Sequence, residues 1–196
     1  MIVERRGWGM KRFFRMVVYG IILSLLTGCS GNSKYEVDME RLKNTSGEYQ
    51  FHDLAWDSDI SRVENLLGCG LQSVGTVEGR EEFRAEEAFE WADVEGEFTC
   101  EFAQGKLDTV SILFKPEEEE EVWKSICDEL FAVYGAVEAD VRTSTSEELQ
   151  ITTDSETYLW EAANERHTAM TISKLSVNGE FKYISLSLYV IPEEKE

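Results

Sequence analysis

Two alternating runs near the C-terminus constrain the fold more than any other feature of the chain. Over 181–191, Ile184, Leu186, Leu188 and Val190 fall on one face, while Tyr183, Ser185, Ser187 and Tyr189 fall on the other. A period of two belongs to a strand, here with one buried and one amphipathic face. A second long run over 167–177 precedes it, and Asn178-Gly179 between them is the residue pair a type I′ hairpin favours. Upstream, Phe98, Cys100 and Phe102 alternate with Glu97, Thr99 and Glu101, and Val110, Ile112 and Phe114 alternate with Thr109, Ser111 and Lys115. Gln104-Gly105-Lys106 turns one of these runs into the other. Weaker strand signals cover 83–91, where Phe89 and Trp91 share a face, and the short pieces 149–153 and 157–160. The Gly- and Glu-rich stretch from Gly70 to about Glu82 reads as a loop.

Two segments carry helical spacing instead. Ile60, Val63, Leu66 and Leu67 repeat at three and four residues, with Asp57, Ser58 and Asp59 as cap and first-turn residues and Gly68 just past the end. Pro116 opens a second helix in which Val122, Trp123, Ile126, Cys127, Leu130, Phe131 and Tyr134 form a broad apolar stripe closed by Gly135. The run 117–121 then lies in a first turn, where carboxylates stabilise the helix dipole; a weak calcium or cationic-partner surface is its other reading.

Laid side by side, the two halves read as a repeat of helix, strand, strand, strand. Gly68 matches Gly135, Phe89–Trp91 matches Tyr158–Trp160, and the turn at Gln104 matches that at Asn178. The expected fold class is α+β: tandem helix-plus-three-strand units forming an antiparallel sheet with helices packed on one face. Leu54-Ala55-Trp56 leading through Asp57, Ser58 and Asp59 into Val63 and Gly68, followed by a strand and a Gly-Lys-Leu hairpin, resembles a half-unit of a known group. It is similar to the tandem-repeat fold of the secreted beta-lactamase inhibitor protein and to the single unit of small outer-membrane-assembly lipoproteins. That resemblance spans roughly 50–191. It implies an exported, non-catalytic chain that presents a sheet face or loops to another protein, with no binding residue carried over. Trp56-Asp57 stands where the group usually has a glycine.

The N-terminus has a different character. Residues 1–15 are basic and 16–27 form an apolar run of 12, short of the about 20 residues that span a bilayer but suited to a signal peptide. Leu26-Thr27-Gly28-Cys29 directly after it resembles the bacterial lipobox. The resemblance implies cleavage before Cys29 and attachment of a diacylglyceryl group, with acyl chains such as palmitate, to its sulfur. Each buried CH2 contributes about 0.8 kcal/mol, so two chains hold a protein at a membrane where one is marginal. The expected organisation is a lipoprotein signal peptide over 1–28, a lipidated cysteine and tether over 29–47, a first helix-plus-hairpin unit over 48–115 and a second over 116–196.

Charge narrows the partners. Residues 29–196 keep 14 bases against 38 acids, a formal −24, which repels phosphate backbones and argues against nucleic acid. Three cysteines remain beyond Cys29. Cys100 with Cys127 is the best candidate disulfide, Cys69 could pair with either, and buried free thiols are the other reading. Their spacing makes no metal site, and His52 and His167 read as structural. Trp123 reads as core, and Trp56, Trp91 and Trp160 as core or exposed anchors. No catalytic residue and no cofactor is assigned. The expectation is a lipid-anchored extracytoplasmic lipoprotein, held to the cell membrane through Cys29, that binds an envelope protein of unknown identity without catalysis. The alternatives are a cation- or ligand-binding lipoprotein and a small envelope hydrolase using acidic residues.

Overall fold

The computed structural model describes residues 34–162 and 166–192. Ten strands form one mixed sheet: β1 Lys34–Glu36, β2 Leu71–Val77, β3 Arg80–Ala85, β4 Ala88–Trp91, β5 Val94–Ala103, β6 Lys106–Phe114, β7 Asp140–Ser146, β8 Ile151–Glu161, β9 Thr168–Val177 and β10 Glu180–Val190. The described residues also contain two α-helices, α1 Ile60–Leu67 and α2 Glu119–Tyr134, and a 3-10 turn at Met39–Arg41. Across the sheet the order is β1-β4-β5-β6-β10-β9-β8-β7. The outer edge of β5 is shared, with β4 on Val94–Gly96 and β3 on Thr99–Ala103, and β2 lies outside β3. All pairings are antiparallel except β1 with β4.

This overturns the expected fold class of tandem helix-plus-three-strand units. The described structure is mostly β, 51% strand against 17% helix. Each half contributes more strands than the alternation showed, because the extra ones are two-sided and polar. β2 (LQSVGTV) and β7 (DVRTSTS) lie at sheet edges with nearly every residue exposed, so no period marks them. The stretch read as a loop at Gly70 is the β2–β3 hairpin, and the pieces 149–153 and 157–160 are one strand, β8.

Helices are not the main cover of the core either. Much of that layer is an irregular segment in which Val37, Met39, Leu42, Tyr49, Phe51, Leu54 and Trp56 are all buried. Rings from this segment and the sheet meet face to edge and face to face, with Phe51 against Phe98 at 5.5 Å and Phe89 against Phe98 at 4.5 Å. Coil can be buried only if its amides and carbonyls find partners, and here side chains supply them. Tyr134 Oη accepts from Leu42 N at 3.0 Å and donates to Met39 O at 2.6 Å. Trp56 Nε1 donates to Tyr49 O at 2.8 Å, and Tyr49 N donates to Thr168 Oγ1 at 2.8 Å. Of the stretch 29–47, the described part from Lys34 carries β1 and the 3-10 turn, and Val37, Met39 and Leu42 in it are buried.

Both helices stand where their periodicity places them. Asp59 caps α1 by accepting from Arg62 N, and Gly68 ends it at a left-handed φ of 71°. α2 lies against β8 and β9: Trp123 stacks on Tyr158, Phe131 meets Tyr158 edge-on, and Lys174 reaches Glu120 at 2.9 Å. Among the described residues no helix is long and apolar enough to cross a membrane.

Gly96 on β5 admits the ring packing beside it. A Cβ there would come within 2.7 Å of Ile112 Cγ2 and 2.8 Å of Phe114 Cε1. Overpacking of this kind destabilises by about 1–3 kcal/mol. Gly96→Ala is therefore expected to lower the urea midpoint with the slope unchanged, and an unaltered midpoint would show that Phe114 can move aside.

Candidate functional site

Along the central strands every second residue points away from the core, and together these residues build a second sheet face. Its middle is buried, with Ser187 0%, Ser185 2% and Thr109 5% exposed, and its β8 margin is open at Leu159. Its rows can be read from the register. One runs Arg84, Thr99, Ser111, Ser187, Thr171, Leu159 across six strands. The next runs Glu97, Leu113, Ser185, Ser173, Thr157, Asp140. A third begins with Glu82 and Glu101 and continues through Thr109, Tyr189 and Ala169 to Glu161.

The middle of this face is a carpet of hydroxyls bonded to one another. Ser111 Oγ lies 2.9 Å from Ser187 Oγ, Ser185 Oγ 3.1 Å from Ser187 Oγ, and Thr157 Oγ1 2.9 Å from Ser173 Oγ. Toward β7 and the β9–β10 hairpin, Leu113, Leu175, Val177 and Tyr183 gather into a small apolar cluster with Ile151, separate from the main core. Burial raises the Tyr183 phenol far above its usual range, so it stays protonated.

The β3–β5 end is ionic. Arg80 Nε sits 2.6 Å from Asp108 Oδ2 and 3.8 Å from Glu101 Oε2, and Arg84 Nε sits 3.2 Å from Glu97 Oε1. Glu82 lies between them, directly opposite Glu101 and only 9% exposed. Burial first, then the neighbouring Glu101 and Glu97 carboxylates, raise its pKa above the ordinary range, with Arg84 opposing.

The residues singled out by sequence are distributed differently. Cys29 and the whole 1–28 segment lie outside the described residues. Cys69, Cys100 and Cys127 are free thiols, so the candidate Cys100–Cys127 bridge is not made. The cause is lateral distance. Cys100 is paired with Val110 on β6, whereas Cys127 lies among Glu156, Asp128 and Lys174 over β8 and β9. Strands lie about 4.8 Å apart, so these cysteines are well beyond the about 7 Å between Cα atoms that a disulfide spans. Burial pushes the Cys127 thiol up to about 12 and the Cys100 thiol higher still, leaving both inert.

Trp56, Trp91, Trp123 and Trp160 are all buried, and none is an exposed anchor. Of the acidic run 117–121, Glu119, Glu120 and Glu121 occupy the first turn of α2. Among the described residues no group of three or more acids, histidines or cysteines is placed to hold a metal ion. The Glu82, Glu97 and Glu101 cluster was not legible in sequence because 70–82 read as a loop. The signal was present in Glu97, Thr99 and Glu101 alternating with buried Phe98, Cys100 and Phe102, which puts both carboxylates on the outward face.

His52 is structural, on the core-covering segment. Its Nε2 lies 3.1 Å from Asp38 N and 3.2 Å from Asp38 O, and Tyr35 Oη lies 3.0 Å from Nδ1. Burial, then Arg41, lowers its pKa from 6.5. A histidine with a depressed folded pKa favours the native state above its unfolded value of about 6.5, and that contribution is lost as pH falls below it. The urea midpoint should therefore drop further between pH 7.5 and 5.5 in the parent protein than in His52→Asn, which tolerates the left-handed φ of 48° found there. Equal drops would show that the imidazole does not set the slope.

No family model, no curated protein and no solved structure matches the chain.

Proposed function

We propose that this chain is a lipid-anchored, extracytoplasmic module that binds another protein at a bacterial cell envelope. The observation that carries the binding half of this reading is the second sheet face, whose middle is buried and whose β8 margin is exposed at Leu159. It is six strands wide and lined by small hydroxyl side chains, with an apolar cluster on one side and an ionic cluster on the other. The exposed margin of such a face, at Leu159 beside the half-buried Thr157 and Thr171, combines the apolar and polar groups of a protein interface. Its serines bond to each other, while His52 is held by Tyr35 and Asp38 on the covering segment. A base-activated hydroxyl needs an imidazole within reach, and His52 is not placed to provide it.

The membrane half rests on the basic segment, the apolar run and Leu26-Thr27-Gly28-Cys29. Thioether lipidation would place Cys29 in the bilayer and leave the fold, from Lys34, in the aqueous phase beside it.

Two experiments test the halves separately. Metabolic labelling with a clickable palmitate analogue should mark the wild-type chain in the membrane fraction. Cys29→Ser should lose the label and remain an unprocessed precursor, and a labelled Cys29→Ser protein would refute the anchor. For the binding half, the C-terminally tagged full chain is retrieved from detergent-solubilised envelopes beside a Thr157→Arg/Leu159→Arg variant. Leu159 is 40% exposed on this face, so the variant alters that surface and spares the core. A stoichiometric protein partner lost in the variant is the expected result. Retention of the partner by the variant would remove this face from the interface, and the absence of any stoichiometric partner would end the binding reading.

A further inference from the structure

We propose that His52 is a pH-operated clasp on β1: protonation of its imidazole releases the first strand from the sheet and lengthens the connection between the fold and Cys29. The lengthening rests on the lipid-anchor reading above, whereas the release of the strand does not.

The first observation is how lightly β1 is attached. It is three residues long, lies at one end of the sheet and pairs in parallel with β4. Parallel pairing is slightly the weaker kind per residue. Val37 N adds a bond to Glu90 O at 2.7 Å. Tyr35 docks the strand on the layer above: its ring stacks on Phe89 at 4.9 Å and meets Phe51 at 5.9 Å, and its hydroxyl reaches His52 Nδ1 at 3.0 Å. The other ring nitrogen, Nε2, lies 3.1 Å from Asp38 N and 3.2 Å from Asp38 O. His52 therefore ties both ends of the stretch 35–38 to the coil that covers the core.

That coil is fixed independently. Phe51 is fully buried, Tyr49 N donates to Thr168 Oγ1, and Trp56 Nε1 donates to Tyr49 O. On the other side of Asp38, Met39 is buried and its carbonyl accepts from Tyr134 Oη. When the contacts of the imidazole fail, the piece with the fewest other attachments opens first, and that piece is β1.

The second observation is the setting of the ring. Either neutral tautomer fits it. With Nδ1 protonated, the ring donates to Tyr35 Oη and accepts from Asp38 N; with Nε2 protonated, it accepts from Tyr35 Oη and donates to Asp38 O. The imidazolium can accept from neither, and it brings a full charge into a site only 7% exposed. Tyr35 of β1, Asp38 and Arg41 of the turn and Asp53 of the coil are the titratable and charged groups facing the ring, while the sheet contributes Phe89 and Phe98, packed on Phe51. Asp38 accepts from Glu40 N, and Asp53 is engaged by Arg41 at 2.8 Å. Burial, then Arg41, outweighs the two carboxylates and lowers the pKa from 6.5. Once β1 and Asp38 leave, the solvated ring returns to about 6.5. The clasp is therefore fully supported above that pH and loses support below it, by at most about tenfold per pH unit.

Release has a geometric consequence at the anchor. β1 begins five peptide steps past Cys29 and the 3-10 turn at Met39 ten steps past it, so opening the strand doubles that connection.

Hydrogen exchange of the full chain in non-ionic detergent, read by mass spectrometry at pH 7.5 and 5.5 with times scaled to the intrinsic rates, tests the clasp. Protection of the amides at 35–37 is expected to fall about threefold to tenfold at pH 5.5, while β9 stays within about twofold. In His52→Asn the protection of 35–37 should not change with pH. Constant protection in the parent, or the same fall in the variant, overturns the proposal. An equal loss across β9 overturns it too, since that assigns the effect to global unfolding. Should the variant not fold, the parent alone decides: the pH midpoint of β1 opening must follow the His52 ring protons titrated by NMR, and a midpoint more than about one unit away overturns the proposal. Release of β1 without palmitate labelling of the wild type would remove the tether and leave the strand switch, whereas labelling without release removes the clasp alone.

Discussion

Pairing of β6 with β10 joins two stretches of chain about seventy residues apart into one sheet, and both faces of the molecule depend on its register. Val110 faces Leu188, Ile112 faces Leu186 and Phe114 faces Ile184. A slip by one residue would send Leu186 outward and bring Ser185 or Ser187 into the core. The same pairing sets Ser111 against Ser187, so the hydroxyl carpet and the apolar row are two consequences of a single alignment. Because the pairing is non-local, the chain must close a long loop before the central ladder forms, which makes this step slow relative to the hairpins. Those hairpins prepare it locally: Gln104-Gly105 and Asn178-Gly179 both hold the positive φ angles of a tight turn, 54° and 74° in the first, 52° and 76° in the second.

What the sequence shows and what it hides follow from how many sides of each element are buried. β5, β6, β9 and β10 alternate because one face meets the core and the other does not, and they were legible. α1 and α2 were legible from their spacing and ends, although Leu66 proves largely exposed. β2 and β7 have no buried face, so their sequences carry no period, and Glu78-Gly79 was the overlooked turn between β2 and β3. β8 looked broken because its middle, Asp154, Ser155 and Glu156, is polar on both sides. Ser155 faces outward, and Glu156 lies beside Lys174 at the border of the core. The burial of residues 37–56 had no local signal, since coil is stabilised by distant partners such as Tyr134 and Thr168. The ionic site was illegible for a related reason: Glu82 and Glu101 become neighbours only through the β3–β5 register.

The second face also explains how a broad sheet avoids sticking to itself. Its central residues are largely serine and threonine, whose hydroxyls satisfy one another, and most of its apolar side chains gather in one corner, with Leu159 exposed at the β8 margin. At the two margins, β2 and β7 present glutamine, serine, threonine, aspartate and arginine, which discourage edge-to-edge pairing.

The three residues of β1 set a leash. β1 begins at Lys34, five peptide steps from Cys29. A fully extended chain covers at most about 3.6 Å per residue, so a lipidated Cys29 would hold the first strand within about 18 Å of the headgroup plane. That is little more than two screening lengths at physiological salt. An acidic body held this near an anionic surface would be repelled by it, so a lipid at Cys29 would have to act against the charge of the chain it anchors.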